Sequence, residues 1–387
     1  MRRALPSGVE VPLAGFYATL FGAVGIIAPY LSPWLASGGF SPTEIGTLLA
    51  ASTIAKIVAA NLWGLAADRA ERRAPVLRAS AAAGALAFVV VAVADGFWSM
   101  LLGLVVFALA WNGTSHQADA LTLAHLEGRG ERYGPIRLWG SIGFVVTAAG
   151  GGWALERLGA GATPLLVMAL LAVVVLAGLR IPEPAPRPPA SDTTPGLGAA
   201  LRRPEVVGLL VASALMQASH GPFYVFFSIY LGELGHRPVM VGALWAVGVI
   251  AEIVLFACLP RLLARVGLRT MLLASLWLAA GRWLITGLAG EWLVALVLAQ
   301  VLHAATFGAY HAAAVQRVQA LFGPSRAARG QALYSSLGFG VGGAVGAWGA
   351  GASWSSAGGA TAAWLGAAVA AALGAVVLAR AMPAPTR

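Results

Sequence analysis

Lys56 is the only lysine in the chain, every other basic side chain being arginine, and it lies in the middle of a long apolar run. Glu252 lies in the middle of another such run, 196 positions later. An ionisable group at that depth in an apolar helix costs from about 2.5 to more than 10 kcal/mol, so it persists where it meets a partner or a wet cavity. The chemistry open to these groups is proton uptake at Glu252 and capture of an anionic group at Lys56 or at Arg282, which interrupts a third apolar run. The competing reading is a permanent ion pair between Lys56 and Glu252 that only holds the structure together.

Further polar side chains recur at helical spacing. Asn112, His116 and Asp119 stand at i, i+4 and i+7, which is one face of a helix. Arg137 opens the following apolar run, and antiparallel neighbours bring it to the depth of Asp119, so a salt bridge is expected, serving either substrate or one conformation. Gln300, His303, Phe307 and His311 form a stripe at i, i+3, i+7 and i+11, and Gln217, His220 and Tyr224 repeat the idea beside Gly221 and Pro222, which weaken a helix and could supply a gate. The histidines suit a proton relay, or they simply hydrogen-bond between packed helices. Trp111, Trp139, Phe144, Tyr30, Phe223 and Tyr334 could line an aromatic pocket, although aromatics also fill helix interfaces and interfacial belts.

The elements that position these residues follow from composition. Of 387 residues, 59% are hydrophobic and 10% charged, with a mean hydropathy of +0.80, whereas soluble domains carry about a quarter charged residues. Lipid is the solvent such a chain needs. A bilayer core of about 30 Å takes about 20 helical residues. Spans are expected at 11–36, 44–68, 75–94, 97–124, 134–158, 161–180, 205–234, 239–264, 270–289, 292–318, 330–352 and 358–380. With both termini cytoplasmic, the loop arginines gather on one side and only Arg157 and Arg237 fall on the other, as the positive-inside rule demands. The net charge of +10 therefore reports orientation in a membrane and not a nucleic-acid partner. Cys258, the single cysteine, can form no intrachain disulfide and is expected as a small buried residue.

The proline-rich stretch 181–204 sustains no helix and divides the chain into an N-terminal bundle, 1–180, and a C-terminal bundle, 205–387, joined by a cytoplasmic linker. A shift of 196 positions superposes the first two spans on the seventh and eighth: Ser32, Gly39, Pro42, Gly46 and Ala55 meet Ser228, Gly235, Pro238, Gly242 and Ala251. Two parallel six-helix repeats are the economical account, with a substrate site near the midplane and rocking of one bundle against the other for alternating access.

After the second span comes Gly64-Leu-Ala-Ala-Asp68-Arg69-Ala-Glu-Arg72-Arg73, a glycine, an Asp-Arg and a basic pair. This resembles the loop signature of the major facilitator superfamily, and its counterpart keeps Arg265, Gly267 and Arg269. The segments opening the fifth span (Arg137-Leu-Trp139-Gly140-Ser141) and the eleventh (Gln331-Ala-Leu-Tyr334) look like the phenylpropionate-permease group, related to the lactose and nucleoside proton symporters. The resemblance implies an all-α polytopic membrane protein with twelve transmembrane helices in two six-helix pseudo-symmetric bundles, a monomer, with Gly64, Asp68, Arg69, Arg72 and Arg73 as a gating loop. Compared with lactose permease, Asp119 and Arg137 reproduce a carboxylate-arginine pair, while Arg282 and His303 match an arginine and a histidine on helices 9 and 10. Thr306 replaces the proton-carrying glutamate, the helix 8 carboxylate comes a turn later as Glu252, and Phe144 replaces the sugar-stacking tryptophan, which argues against galactoside transport.

Glycines at 140, 143, 338, 342, 343 and 346 are spaced for close helix approach. The chain carries no phosphate-binding lysine motif, no His-Cys cluster for a metal and no hydrolytic triad, so no cofactor is expected and an embedded enzyme is disfavoured. The expectation is a proton-coupled symporter in a bacterial-type inner membrane that imports a small organic solute. An aromatic carboxylate is preferred to a sugar or nucleoside. Glu252, Asp119 and His303 are assigned to protons. Lys56, Arg282, Arg137, Asn112, His116, His220, Tyr224, Gln300, His311, Trp139 and Phe144 are assigned to substrate. A proton-driven efflux carrier and a non-transporting receptor are the rivals.

Overall fold

The computed structural model describes residues 8–70, 72–126, 129–184, 198–323 and 326–382. Arg2, Arg3, Arg187 and Arg387 of the loop arginines, much of the proline-rich linker and the side chain of Asp68 lie outside what is described. The described residues are helical, with no strand among them. The long helices are α1 (Glu10–Ser37), α2 (Pro42–Arg69), α3 (Ala74–Val93), α4 (Phe97–Leu126), α5 (Tyr133–Leu158), α6 (Thr163–Leu179), α7 (Pro204–Glu233), α8 (Pro238–Val266), α9 (Leu268–Ala289), α10 (Leu293–Phe322), α11 (327–354) and α12 (Gly359–Ala381). All but α11 are apolar and long enough to cross a bilayer, and α11 is interrupted by a π-helical stretch, Ser335–Val341. A second π stretch, Ala304–Ala309, lies inside α10, and α7 breaks at His220, before Gly221-Pro222.

The described residues form two compact units. One holds 1–40, 54–190 and 237–246; the other holds 41–53, 191–236 and 247–387. In the first, α1 packs on α5 and α6, and α3 on α4 and α6. In the second, α7 packs on α11 and α12, and α9 on α10 and α12, so each unit repeats the same neighbour relations. The turn after α1 and the turn after α7 also match: Gly39 and Gly235, 196 positions apart, both take positive φ (88° and 81°), which a side chain would disfavour.

Glycines set the closest helix approaches. A Cβ on Gly143 of α5 would run into the backbone of Ala18 on α1, and Cβ atoms on Gly342 and Gly346 of α11 would strike the backbone of Ala214 and Ala218 on α7. Large apolar side chains such as Leu86, Val93, Trp98 and Val294 are exposed, which lipid tolerates and water would not. Cys258 is a correction to the sequence reading: it is exposed on α8, a helix so apolar that its outer face needs no polar residue and accepts a cysteine as readily as a valine.

Candidate functional site

Arg282 of α9 is fully buried. Its Nη1 donates to His303 Nδ1 at 3.0 Å and to Thr306 Oγ1 at 3.2 Å, both on α10. Its guanidinium carbon stands 4.2 Å from the ring centre of Trp283 and 4.6 Å from that of Phe223, so aromatic faces compensate part of the charge. The remaining edge, Nε and Nη2, is buried without a hydrogen-bond partner. These two N–H groups point the same way and form the fork that carboxylates occupy in bidentate pairs.

An arginine only donates, so His303 Nδ1 must accept, and in the neutral ring its proton is on Nε2. That nitrogen lies 3.6 Å from Oε1 of the half-buried Glu252 on α8. Arg282, His303 and Glu252 thus form a polarised chain with an acid at one end. Sequence comparison registers Thr306 only as a lost glutamate; in the structure it is a second acceptor for Arg282. His303, Phe307 and His311 stack in one column, at 5.3 and 6.4 Å, and His311 Nδ1 meets Tyr334 at 3.2 Å, away from the arginine. The π stretch beginning just after His303 adds a residue to the turn carrying Thr306 and Phe307; such bulges recur at functional sites. His220 bonds Met216 O through Nδ1 at 2.9 Å and packs on Trp283 at 4.9 Å, with Tyr224 6.0 Å from it. Gln300 is buried one turn before His303, its Oε1 unmatched.

The other unit presents a different cluster. Asp119 Oδ1 accepts from Tyr17 at 2.6 Å and Tyr133 at 2.9 Å. Arg137 instead lies flat over Phe21, 3.6 Å from its ring centre, and the expected Asp119–Arg137 salt bridge is not among the ion pairs of the described residues. Helix adjacency brings the two to similar depth but does not fix their direction around the helix, and two tyrosines reach the carboxylate first. Asn112 donates to the carbonyl of Lys56 at 3.0 Å, and His116 Nδ1 lies 2.9 Å from the carbonyl of Asn112. Lys56 itself is exposed and enters no ion pair among the described residues. Trp139 is exposed, while Phe144 is buried 6.4 Å from Trp245.

At the loop signature, Arg72 approaches Glu183 at 3.9 Å, and the two carboxylate oxygens of Glu183 accept the backbone N–H groups of Arg73 (2.7 Å) and Ala74 (2.9 Å), capping α3. Arg78 returns the favour by donating to carbonyls of Gly178 and Ile181 at the end of α6. Gly64 faces open space, and Arg69 enters no ion pair among the described residues. Sequence reasoning missed Glu183, as it missed Glu10, which is buried at the start of α1 and pairs with Arg132 at 2.8 Å. A lone carboxylate just inside an apolar run is the signal that could have found Glu10.

The model described as "MFS_1 like family" matches residues 11–365. A protein named "Probable 3-phenylpropionic acid transporter" from Escherichia coli (strain K12) is 32% identical over 342 residues, 85% of this chain and 86% of that one. The "Maltose permease" of Geobacillus stearothermophilus is 26% identical over 337 residues, covering 84% and 83%. Among solved structures, the nucleoside transporter NupG superposes with a TM-score of 0.83 at 19% identity over 98% of this chain and 100% of that chain. The POT family transporter PepTSo gives 0.77 at 12% identity over 97% and 98%. At these identities the structures speak for fold alone.

Proposed function

This chain belongs to the MFS_1 like family of major facilitator transporters, and from that premise we propose that it imports a small aromatic carboxylate together with a proton. It is a multi-pass membrane transporter and not an enzyme. The observation that carries the proposal is Arg282: a buried guanidinium with an unmatched Nε/Nη2 edge, flanked by Phe223 and Trp283. The free edge suits a carboxylate and the two rings suit the aromatic body of the same molecule. The relative named for 3-phenylpropionic acid supports that solute class.

Coupling follows from charge. A carboxylate arriving at Arg282 adds a negative charge near Glu252, and a proton on Glu252 restores the balance, so the two enter the buried site more cheaply together than apart. His303, neutral with its proton on the Nε2 that faces Glu252, stands between the two ends without carrying net charge. Asp119, already saturated by two tyrosines on one oxygen, is assigned a secondary role, with Lys56, Arg137, Asn112 and His116 as the cationic and polar lining of the other unit. The loop arginines support an orientation with both termini cytoplasmic, in a bacterial-type inner membrane, and the protein acts as a monomer. A neutral sugar is the second reading, favoured by the maltose permease relationship, though it would leave the charge of Arg282 unanswered.

The test is internal acidification of proteoliposomes on addition of aromatic acids, sugars and nucleosides, comparing wild type with Glu252→Gln. Acid-dependent proton entry that disappears in the variant supports the proposal. Uptake of a sugar or nucleoside alone transfers support to the second reading, and binding without any proton movement refutes symport.

A further inference from the structure

His220 caps the first half of α7 where the helix breaks, and it is fully buried. Its Nδ1 lies 2.9 Å from the carbonyl oxygen of Met216. A carbonyl only accepts, so the ring proton of the neutral imidazole is on Nδ1 and Nε2 is a lone-pair acceptor. That Nε2 is buried without a partner. Leaving a buried acceptor unmet is costly, so such an atom ordinarily has something to bind.

The same aromatic cluster holds the complementary deficit. The ring of His220 lies edge-on to Trp283 at 4.9 Å, and the guanidinium of Arg282, with two unmet donors, lies 4.2 Å from the centre of that indole. Gln217, one turn before His220, and Gln300, one turn before His303, each bury a side-chain carbonyl oxygen without a partner. On either side of that indole, the Arg282 donors and the His220 acceptor are thus left open without satisfying one another. A plain aromatic carboxylate answers Arg282 and leaves every acceptor open. A carboxylate that also carries a hydroxyl answers both.

We propose that the preferred substrate is a hydroxylated aromatic monocarboxylate, its carboxylate on the Nε/Nη2 edge of Arg282 and its hydroxyl donating to His220 Nε2. The inference rests on the aromatic-acid reading above and adds to it a reason for discrimination. A site built to hydrogen-bond a hydroxyl rejects the analogue that lacks one, because its own buried group is then stranded.

Calorimetric titration of the full-length protein in lipid nanodiscs would compare phenylpropionate, its meta- and para-hydroxylated forms, and the methyl ethers of both. The ethers keep the oxygen and remove the donor. At least one hydroxylated acid should bind about tenfold more tightly than its ether and than the parent acid, and in His220→Phe that ratio should fall to about one. The wild-type comparison stands even where the variant fails to fold. Equal affinities for parent, phenol and ether in wild type overturn the inference and leave the aromatic-acid reading intact. An unchanged ratio in a folded His220→Phe protein overturns the assignment to His220. Absence of binding by every aromatic acid removes the underlying reading as well.

Discussion

Arg282 Nη1 donates to His303 Nδ1 at 3.0 Å, and this one bond fixes which nitrogen of the histidine holds its proton. His303 must be the Nε2–H form, while His220, bonded through Nδ1 to a carbonyl, must be the Nδ1–H form. Two histidines whose rings are 6.1 Å apart are therefore held as opposite tautomers. The chain has six histidines, few enough for nitrogen-15 spectra of histidine-labelled protein to resolve them. Replacing His303 and His220 one at a time should remove an Nε2–H signal in the first case and an Nδ1–H signal in the second. The same tautomer at both positions would contradict this arrangement.

Glu252 is the acidic end of that arrangement. Glu252→Gln keeps the volume and the hydrogen-bonding oxygen facing His303 Nε2 but cannot exchange a proton. Substrate-driven acidification in proteoliposomes should fall at least about a hundredfold, by a larger factor than counterflow of labelled substrate, which needs no net proton movement. Equal losses in both assays would mean that Glu252 serves the architecture and not the coupling.

Arg282→Lys separates charge from geometry. Lysine preserves the positive charge but loses the planar fork and much of the stacking on Phe223 and Trp283. Affinity for an aromatic acid should weaken by about 10- to 100-fold, in keeping with about 1.5–3 kcal/mol for a charge-assisted hydrogen bond. Affinity for a neutral sugar, where any is measured, should move far less. Identical losses for both ligand classes would argue against carboxylate recognition at this edge.

The spans were legible because hydropathy and loop arginines encode them directly: α1 was expected at 11–36 and is Glu10–Ser37, and α9 was expected at 270–289 and is Leu268–Ala289. The π stretches of α10 and α11 were not legible, since they arise where neighbouring helices meet and leave no mark in a hydropathy profile. Arg282, His303 and Glu252 drew attention because ionisable groups are costly in lipid, but their pairing did not follow from type. The internal repeat drew Glu252 together with Lys56 by depth alone, and that reading gave no hint of His303, which stands beside the carboxylate within its own unit. Tyr17 and Tyr133 escaped notice because tyrosine in a membrane helix ordinarily signals packing or an interfacial belt.

Those two tyrosines should matter more to Asp119 than Arg137 does. Tyr17→Phe removes the 2.6 Å hydrogen bond to Oδ1 and should lower stability by about 1–2 kcal/mol, with Tyr133→Phe costing no more. Their double variant should cost more than the two single losses combined, because either hydroxyl alone still satisfies the shared oxygen and only the double variant strands it. Arg137→Gln should leave this coupling unchanged. Unfolding midpoints in a mild detergent provide the measurement, and a coupling that vanishes in Arg137→Gln would restore the Asp119–Arg137 pair.

Close approach of α1 and α5 gives a sharper stability test, because the same helix supplies its own control. A methyl group on Gly143 would meet the carbonyl of Ala18, with backbone on the other side and no flexible side chain to yield, whereas a methyl group on Gly150 has nothing within 4 Å. Alanine is the better helix former by about 1 kcal/mol, so propensity alone predicts that both substitutions stabilise. Packing predicts opposite signs. Gly143→Ala should force the helices apart, at a cost of about 1–3 kcal/mol for an overpacked contact, and lower the unfolding temperature, while Gly150→Ala should leave it unchanged or raise it. Since α1 carries Tyr17, its displacement at Gly143 should also loosen the hydrogen bond to Asp119 on α4, so the Tyr17→Phe penalty should shrink in the Gly143→Ala background. Like-signed effects of the two glycine substitutions would show that helix propensity and not backbone proximity governs this interface.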